Sequence, residues 1–172
     1  GLVAALITAL SSGSAPRDNL TPMTPQGSVP RMNWNAPNMT LTALDGSYVQ
    51  IIDFRGRIVF LNFWATWCIP CVRELPAFTA FAQEQDPETG ALIVAINAGE
   101  TPEVINAFLQ EHNISGINVL LDPAGAARSL YGVIGLPVTY VIDEEGLVRG
   151  MKIGEMTRAD MDNYLAELQS SG

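Results

Sequence analysis

A short apolar stretch, Ile58 to Phe63, interrupted only by Asn62, constrains this chain more than any other feature of its sequence. A strand with one face in water alternates apolar and polar residues, whereas a nearly unbroken apolar run has both faces covered, as in the middle of a sheet. From Ile69 onward the pattern changes: Val72, Leu75, Phe78 and Ala82 fall at helical spacing, so a buried strand passes almost directly into a helix. Pro76 lies inside that helix and predicts a kink, because proline lacks an N–H and crowds the preceding turn. Ala91 to Ile96 reads as a second buried strand. Thr101, Pro102 and Glu103 then open a helix with a capping hydroxyl, a first-turn proline and an acid, and Val104, Ile105, Phe108 and Leu109 line one face of it.

The flanking segments complete the pattern. Short runs near 39–43 and 48–51 surround Asp45-Gly46, which supplies the positive φ that a tight turn needs, and predict a hairpin. Asn118 to Leu121 reads as a short strand and Ala124 to Tyr131 as a short helix. Val138–Ile142 and Leu147–Ile153 form a second hairpin around Asp143-Glu144-Glu145-Gly146. Thr157 with Asp160 resembles a capping box, and Met161, Tyr164, Leu165 and Leu168 give the last helix its apolar stripe. Alternating β and α units closed by a hairpin imply an α/β fold. Its central sheet is mixed and carries helices on both faces, because a parallel crossover lays its helix over the sheet.

The rest of the chain divides around this unit. Of 172 residues 48% are apolar, enough for one core, and the folded domain is placed at 36–172. Residues 11 to 38 hold five of the eleven prolines (Pro16, Pro22, Pro25, Pro30 and Pro37) and no apolar periodicity, so 11–35 reads as a semi-rigid linker. Gly1 to Leu10 is apolar apart from Thr8. As a helix it would rise only about 15 Å, half of a hydrocarbon core of roughly 30 Å, and it is read as the remnant of a signal peptide or membrane anchor. A domain tethered on the extracytoplasmic side is the expectation. A net charge of −9 argues against nucleic acid, whose binding proteins displace counterions with basic side chains, and against an anionic membrane surface.

The only two cysteines, Cys68 and Cys71, sit where the buried strand gives way to the helix. A thiolate at a helix N-terminus faces free backbone N–H groups and the positive end of the dipole, which can bring its pKa from about 8.5 into the range of roughly 3.5 to 7.5. A second thiol three residues on returns to the same side of the helix and can attack a mixed disulfide formed by the first. Cys68 is therefore assigned as nucleophile and Cys71 as resolving thiol, with Pro70 stiffening the first turn between them. The bland alternatives are a local structural disulfide or half of a zinc site. For zinc only His112 and scattered carboxylates remain, and His112 falls near the end of another helix, where a positive imidazole suits the dipole.

Two segments, VFLNFWATWCIPCVRELPAF (59 to 78) and GVIGLPVTYVIDEEG (132 to 146), resemble the extracytoplasmic thioredoxin-like proteins of the TlpA/ResA/CcmG group. The resemblance extends from residue 34 to about 169. It includes the N-terminal β-hairpin and a central strand-helix insertion between the CxxC helix and the GLPVTYVID segment. It implies a thioredoxin fold and membrane-tethered reduction of protein disulfides, commonly those of apocytochrome c, with a membrane thiol donor recharging the pair and no dissociable cofactor. Pro137 matches the family's cis-proline, so the backbone of Leu136 would face the thiols and offer strand-like hydrogen bonds to an extended substrate. Trp67 is expected to shield the thiols and, with Ile69, Pro70 and Leu136, to touch the substrate. Trp64 is expected to be partly core, with plain packing the alternative for both tryptophans.

Glu74 matches an active-site glutamate of the ResA-like proteins. One helical turn beyond Cys71, its carboxylate could take up or return the proton that thiol exchange moves. The alternative is a solvated acid early in a helix, where the dipole favours it anyway. Asn62 stands where the similar cytoplasmic thioredoxins carry a buried Asp, and an amide does not titrate, which leaves Glu74 as the substitute. Two other functions share such a fold. A peroxide reductase needs Pro and Thr ahead of its cysteine in P-x-x-x-T-x-x-C, and Leu61 and Ala65 hold those places. A non-catalytic or copper-binding adaptor would use the two thiolates as ligands, but the sequence offers no nearby His or Met set.

Overall fold

The computed structural model describes residues 32–170, so the anchor reading at 1–10 and most of the linker reading lie outside the described residues. Eight strands form one mixed sheet: β1 (Trp34–Asn35), β2 (Thr40–Ala43), β3 (Tyr48–Gln50), β4 (Val59–Trp64), β5 (Leu92–Asn97), β6 (Asn118–Leu121), β7 (Val138–Ile142) and β8 (Leu147–Ile153). Their order across the sheet is β1-β8-β7-β4-β5-β6-β2-β3. The apolar run expected to be central is central: every residue of β4 is buried, with β5 parallel on one side and β7 antiparallel on the other.

Four helices pack on this sheet: α1 (Ile69–Glu84), α2 (Pro102–Glu111), α3 (Ala126–Leu130) and α4 (Arg158–Gln169). Alternate residues of β4 serve two cores. Phe60 and Trp64 join Leu75, Phe78 and Phe81 of α1, Ile105 of α2 and Met161 and Tyr164 of α4. Val59, Leu61 and Phe63 face the other way, against Ala127 of α3 and Tyr131 and Tyr140. Helices therefore cover both faces, as expected, with three of them on the face that carries the cysteines. Phe60, Leu61, Phe63 and Trp64 have no exposure, and each contributes about 1.5–3 kcal/mol by leaving water. Helix α4 lies close on β8 at Gly150, where a Cβ would stand 2.4 Å from Tyr164 Cε1.

Local signals explain the helix starts. Thr101 Oγ1 accepts from Val104 N–H, and Thr157 and Asp160 make the reciprocal capping box at α4. Helix α1 continues through Pro76 to Glu84; the ring lies on the exposed side, where water can satisfy the carbonyl it leaves bare. The N-terminal hairpin forms at Asp45-Gly46, with Gly46 at φ +84°, and docks its β2 strand antiparallel on β6. One element was not expected: β1, two residues ahead of the boundary placed at 36, pairs with β8, and Trp34 stacks edge-on against Tyr140 at 5.9 Å. Among the described residues no helix is long and apolar enough to cross a membrane.

Candidate active site

Strand β4 ends at Trp64, and the chain turns through Ala65, Thr66 and Trp67 before α1 begins. Cys68 is the N-cap of α1: its backbone is extended, its N–H donates to Ala65 O at 3.2 Å, and its carbonyl accepts from Val72 N–H at 3.0 Å. The Cys71 N–H points at Cys68 Sγ, 3.3 Å away, so the sulfur occupies the place where a capping oxygen would accept. The two cysteines form a disulfide with Cα atoms 5.2 Å apart. Cys68 is 6% exposed and Cys71 not at all, so an incoming group meets Cys68. Trp67 and Ile69 are 68% and 70% exposed beside it, and Pro70 is half-buried.

The segment leading into β7 carries a cis peptide bond between Leu136 and Pro137. Pro137 is buried and its carbonyl accepts from Gly154 N–H at 2.9 Å, which fastens it to the loop after β8. Leu136 is half-buried and packs against both cores. Trp64, expected to be partly core, is wholly core, and its ring stacks at 5.7 Å on Phe108 of α2.

Glu74 is 1% exposed, so the reading of a solvated acid fails: the residue faces the sheet. Its Oε1 accepts from Asn62 Nδ2 at 2.7 Å and its Oε2 from Met156 N–H at 2.8 Å. Burial pushes its carboxyl up to about 7; the two hydrogen bonds oppose that shift and the neighbouring charge of Glu155 adds to it. A buried carboxyl held near 7, one helical turn beyond Cys71, has the acidity that a proton partner for a thiol needs. The link continues to Thr139 of β7, whose Oγ1 accepts from Asn62 Nδ2 at 3.0 Å. Asn62 and Thr139 are register partners across β4 and β7, two residues past the cis-proline.

A second acid supports the site and was not expected. Glu100, in the loop after β5, accepts from Thr66 N–H at 2.8 Å and Asn97 Nδ2 at 2.7 Å through Oε2, and from the Thr66 hydroxyl through Oε1. This pins the turn immediately before Cys68. The sequence signal was a pair of polar residues, Asn97 and Glu100, at the end of a buried strand. His112 is exposed at the C-cap of α2, with its ring 4.2 Å from that of Phe108. Among the described residues no three of His, Cys, Asp and Glu gather as a metal site.

This geometry has close relatives. The family model for AhpC/TSA matches residues 32–151. The thiol-disulfide oxidoreductase ResA of Bacillus thuringiensis subsp. konkukian is 36% identical over 133 residues, which cover 77% of this chain and 76% of that protein. Among solved structures, a putative thiol:disulfide interchange protein DsbE from Chlorobium tepidum aligns with a TM-score of 0.71 at 26% identity, over 82% of this chain and 99% of its own. An exposed lipoprotein thioredoxin from Streptococcus pneumoniae aligns with a TM-score of 0.65 at 27% identity, over 77% and 100% respectively.

Proposed function

The chain belongs to the AhpC/TSA family and is a ResA-like thiol-disulfide oxidoreductase acting on disulfide-containing proteins, and from that membership we propose that it works as an extracytoplasmic reductase through a Cys68/Cys71 dithiol–disulfide cycle. In the reduced protein the Cys68 thiolate attacks one sulfur of a substrate disulfide, and the other substrate sulfur leaves as a thiolate. Cys71 then loses its proton to Glu74 and attacks Cys68 Sγ. The substrate's second sulfur departs and collects a proton, and two electrons have passed from the protein's dithiol to the substrate. Residues Trp67, Ile69 and Pro70 and the Leu136 backbone beside Pro137 receive the substrate segment.

The finer assignments follow from the resemblance. Apocytochrome c is the proposed substrate, and a membrane thiol donor returns the Cys68–Cys71 disulfide to the dithiol. From their composition, residues 1–10 are assigned to an anchor or signal peptide and the proline-rich segment after them to a tether, which ends where β1 joins the sheet at Trp34 rather than at 36. The observation that carries the reading is the asymmetry of the pair: the reachable sulfur caps a helix and receives a backbone N–H, while its partner lies behind it without exposure.

The test is mixed-disulfide trapping. With a disulfide-containing protein such as insulin, a Cys71→Ser variant is expected to accumulate a covalent adduct through Cys68, visible on a non-reducing gel, and a Cys68→Ser variant none. Equal adducts with both variants would reverse or abolish the role assignment.

A further inference from the structure

Asn62 is fully buried in the central strand, and its amide is unevenly used. Nδ2 donates one hydrogen to Glu74 Oε1 at 2.7 Å and the other to Thr139 Oγ1 at 3.0 Å. Oδ1 has no hydrogen-bond partner among the described residues. A buried carbonyl oxygen with no protein partner is costly, and in a native fold such an atom asks for an explanation.

The amide's symmetry supplies one. Turned by half a revolution about its last torsion, it would present Oδ1 to both neighbours, accepting from the Thr139 hydroxyl and from a protonated Glu74, while the nitrogen would become the bare atom. Each orientation makes two hydrogen bonds and leaves one atom unpaired. They differ in which form of Glu74 they fit: a donor faces a carboxylate, an acceptor faces a carboxylic acid. The Met156 N–H at Oε2 serves both forms, because the proton goes to Oε1. Without the turn, the N–H would face the weaker acceptor oxygen of the acid form, and the acid's own O–H would find no acceptor in the amide.

We propose that Asn62 is a positioning residue for the proton step, reversing its side-chain amide as Glu74 gains or loses its proton so that the buried acid stays hydrogen-bonded in both states. The inference rests on Glu74 carrying the proton of Cys71. As the Cys71 S–H bond breaks and the Glu74 O–H bond forms, the amide turns from donor to acceptor; when Glu74 gives the proton up, the amide turns back. An aspartate at position 62 would compete for the same proton, whereas an amide follows it without titrating.

The other groups around Glu74 do not duplicate this role. On its own helix are the two cysteines and Arg73, whose Nε pairs with Glu155 Oε2 at 2.9 Å. From β8, Lys152 is the register partner of Thr139, and its Nζ pairs with Asp160 of α4 at 2.9 Å. Glu155 adds to the upward shift that burial gives Glu74, and the Arg73 pairing offsets part of its charge. Among the described residues it is Asn62 that hydrogen-bonds Oε1.

The test is made by NMR on the full chain, labelled to show the Glu74 carboxyl carbon and the Asn62 side-chain NH2 group, titrated through neutrality. In the wild type the Asn62 signals are expected to shift with the same midpoint as the Glu74 carboxyl and to lose that transition in Glu74→Gln. In Asn62→Leu the Glu74 midpoint is expected to move about one pH unit to the alkaline side, because the ionised form loses the stronger, charge-assisted bond. The pH profile of mixed-disulfide resolution should move with it. Asn62 signals that stay flat while Glu74 titrates, or an unmoved midpoint in Asn62→Leu, would overturn the amide reversal. A resolution profile unaltered in Glu74→Gln would instead overturn the proton role of Glu74 itself. The wild-type titration needs no variant to fold.

Discussion

Replacing Cys68 by serine is expected to lower the rate of disulfide exchange about a thousandfold or more, to the uncatalysed background. A serine hydroxyl does not attack a disulfide sulfur, and no second thiol can take over the first step: Cys71 has no exposure and lies one helical turn further in. The Cys71→Ser variant should behave differently, losing turnover while keeping the first covalent step, since Cys68 remains at the helix start with the N–H of residue 71 aimed at its sulfur. Insulin reduction followed by turbidity measures both. Substantial turnover in Cys68→Ser would show that the chemistry runs through the buried sulfur or elsewhere.

The second large effect concerns stability and pH. Folding raises the Glu74 carboxyl from an ordinary 4.5 to about 7, so between those values the native chain holds a proton that the unfolded chain has released. Stability then falls as pH rises through that window, and above about pH 7 the full penalty, on the order of 3 kcal/mol, is present. Glutamine cannot ionise and escapes it. Relative to wild type, Glu74→Gln is expected to gain about 3 kcal/mol between pH 4 and pH 8, measured by urea unfolding of the oxidised proteins across that range. The comparison is of slopes, so hydrogen bonds lost equally at every pH cancel. Parallel stability curves for the two proteins would mean that Glu74 titrates alike in the folded and unfolded chains.

The parts of this molecule that were legible in the sequence are those written in local patterns. The continuous apolar run gave β4 its central place, the Thr101 and Thr157 caps started two helices, and Asp45-Gly46 turned the first hairpin. The cysteines were legible for the same reason: their function follows from a strand-to-helix junction that neighbouring residues specify. Strand β1 was hidden because two residues in a proline-rich stretch carry no periodicity; what orders them is pairing with β8, more than a hundred positions away.

Glu74 shows the limit most clearly. Its position one turn beyond Cys71 suggested a proton role, but whether it faced water or the sheet depended on partners no local pattern reveals. Asn62 is 12 positions away and Met156 is 82, and Thr139, which completes the link, is 77 from Asn62. The polar break at Asn62 in an apolar run was the one visible trace of that network. Glu100 is similar: it reaches Thr66 across 34 positions, and the polar pair it makes with Asn97 marks a strand end without saying which turn it holds.

The central claim is that one sulfur is activated where β4 hands over to α1 while its neighbour is held in reserve. Site-resolved alkylation of the reduced protein with iodoacetamide, followed by mass spectrometry as a function of pH, measures this directly. The account predicts that Cys68 reacts first, with a half-maximal rate well below the ordinary thiol value of about 8.5, and that Cys71 lags at every pH. Two sulfurs reacting at equal, slow rates with midpoints near that ordinary value would contradict it.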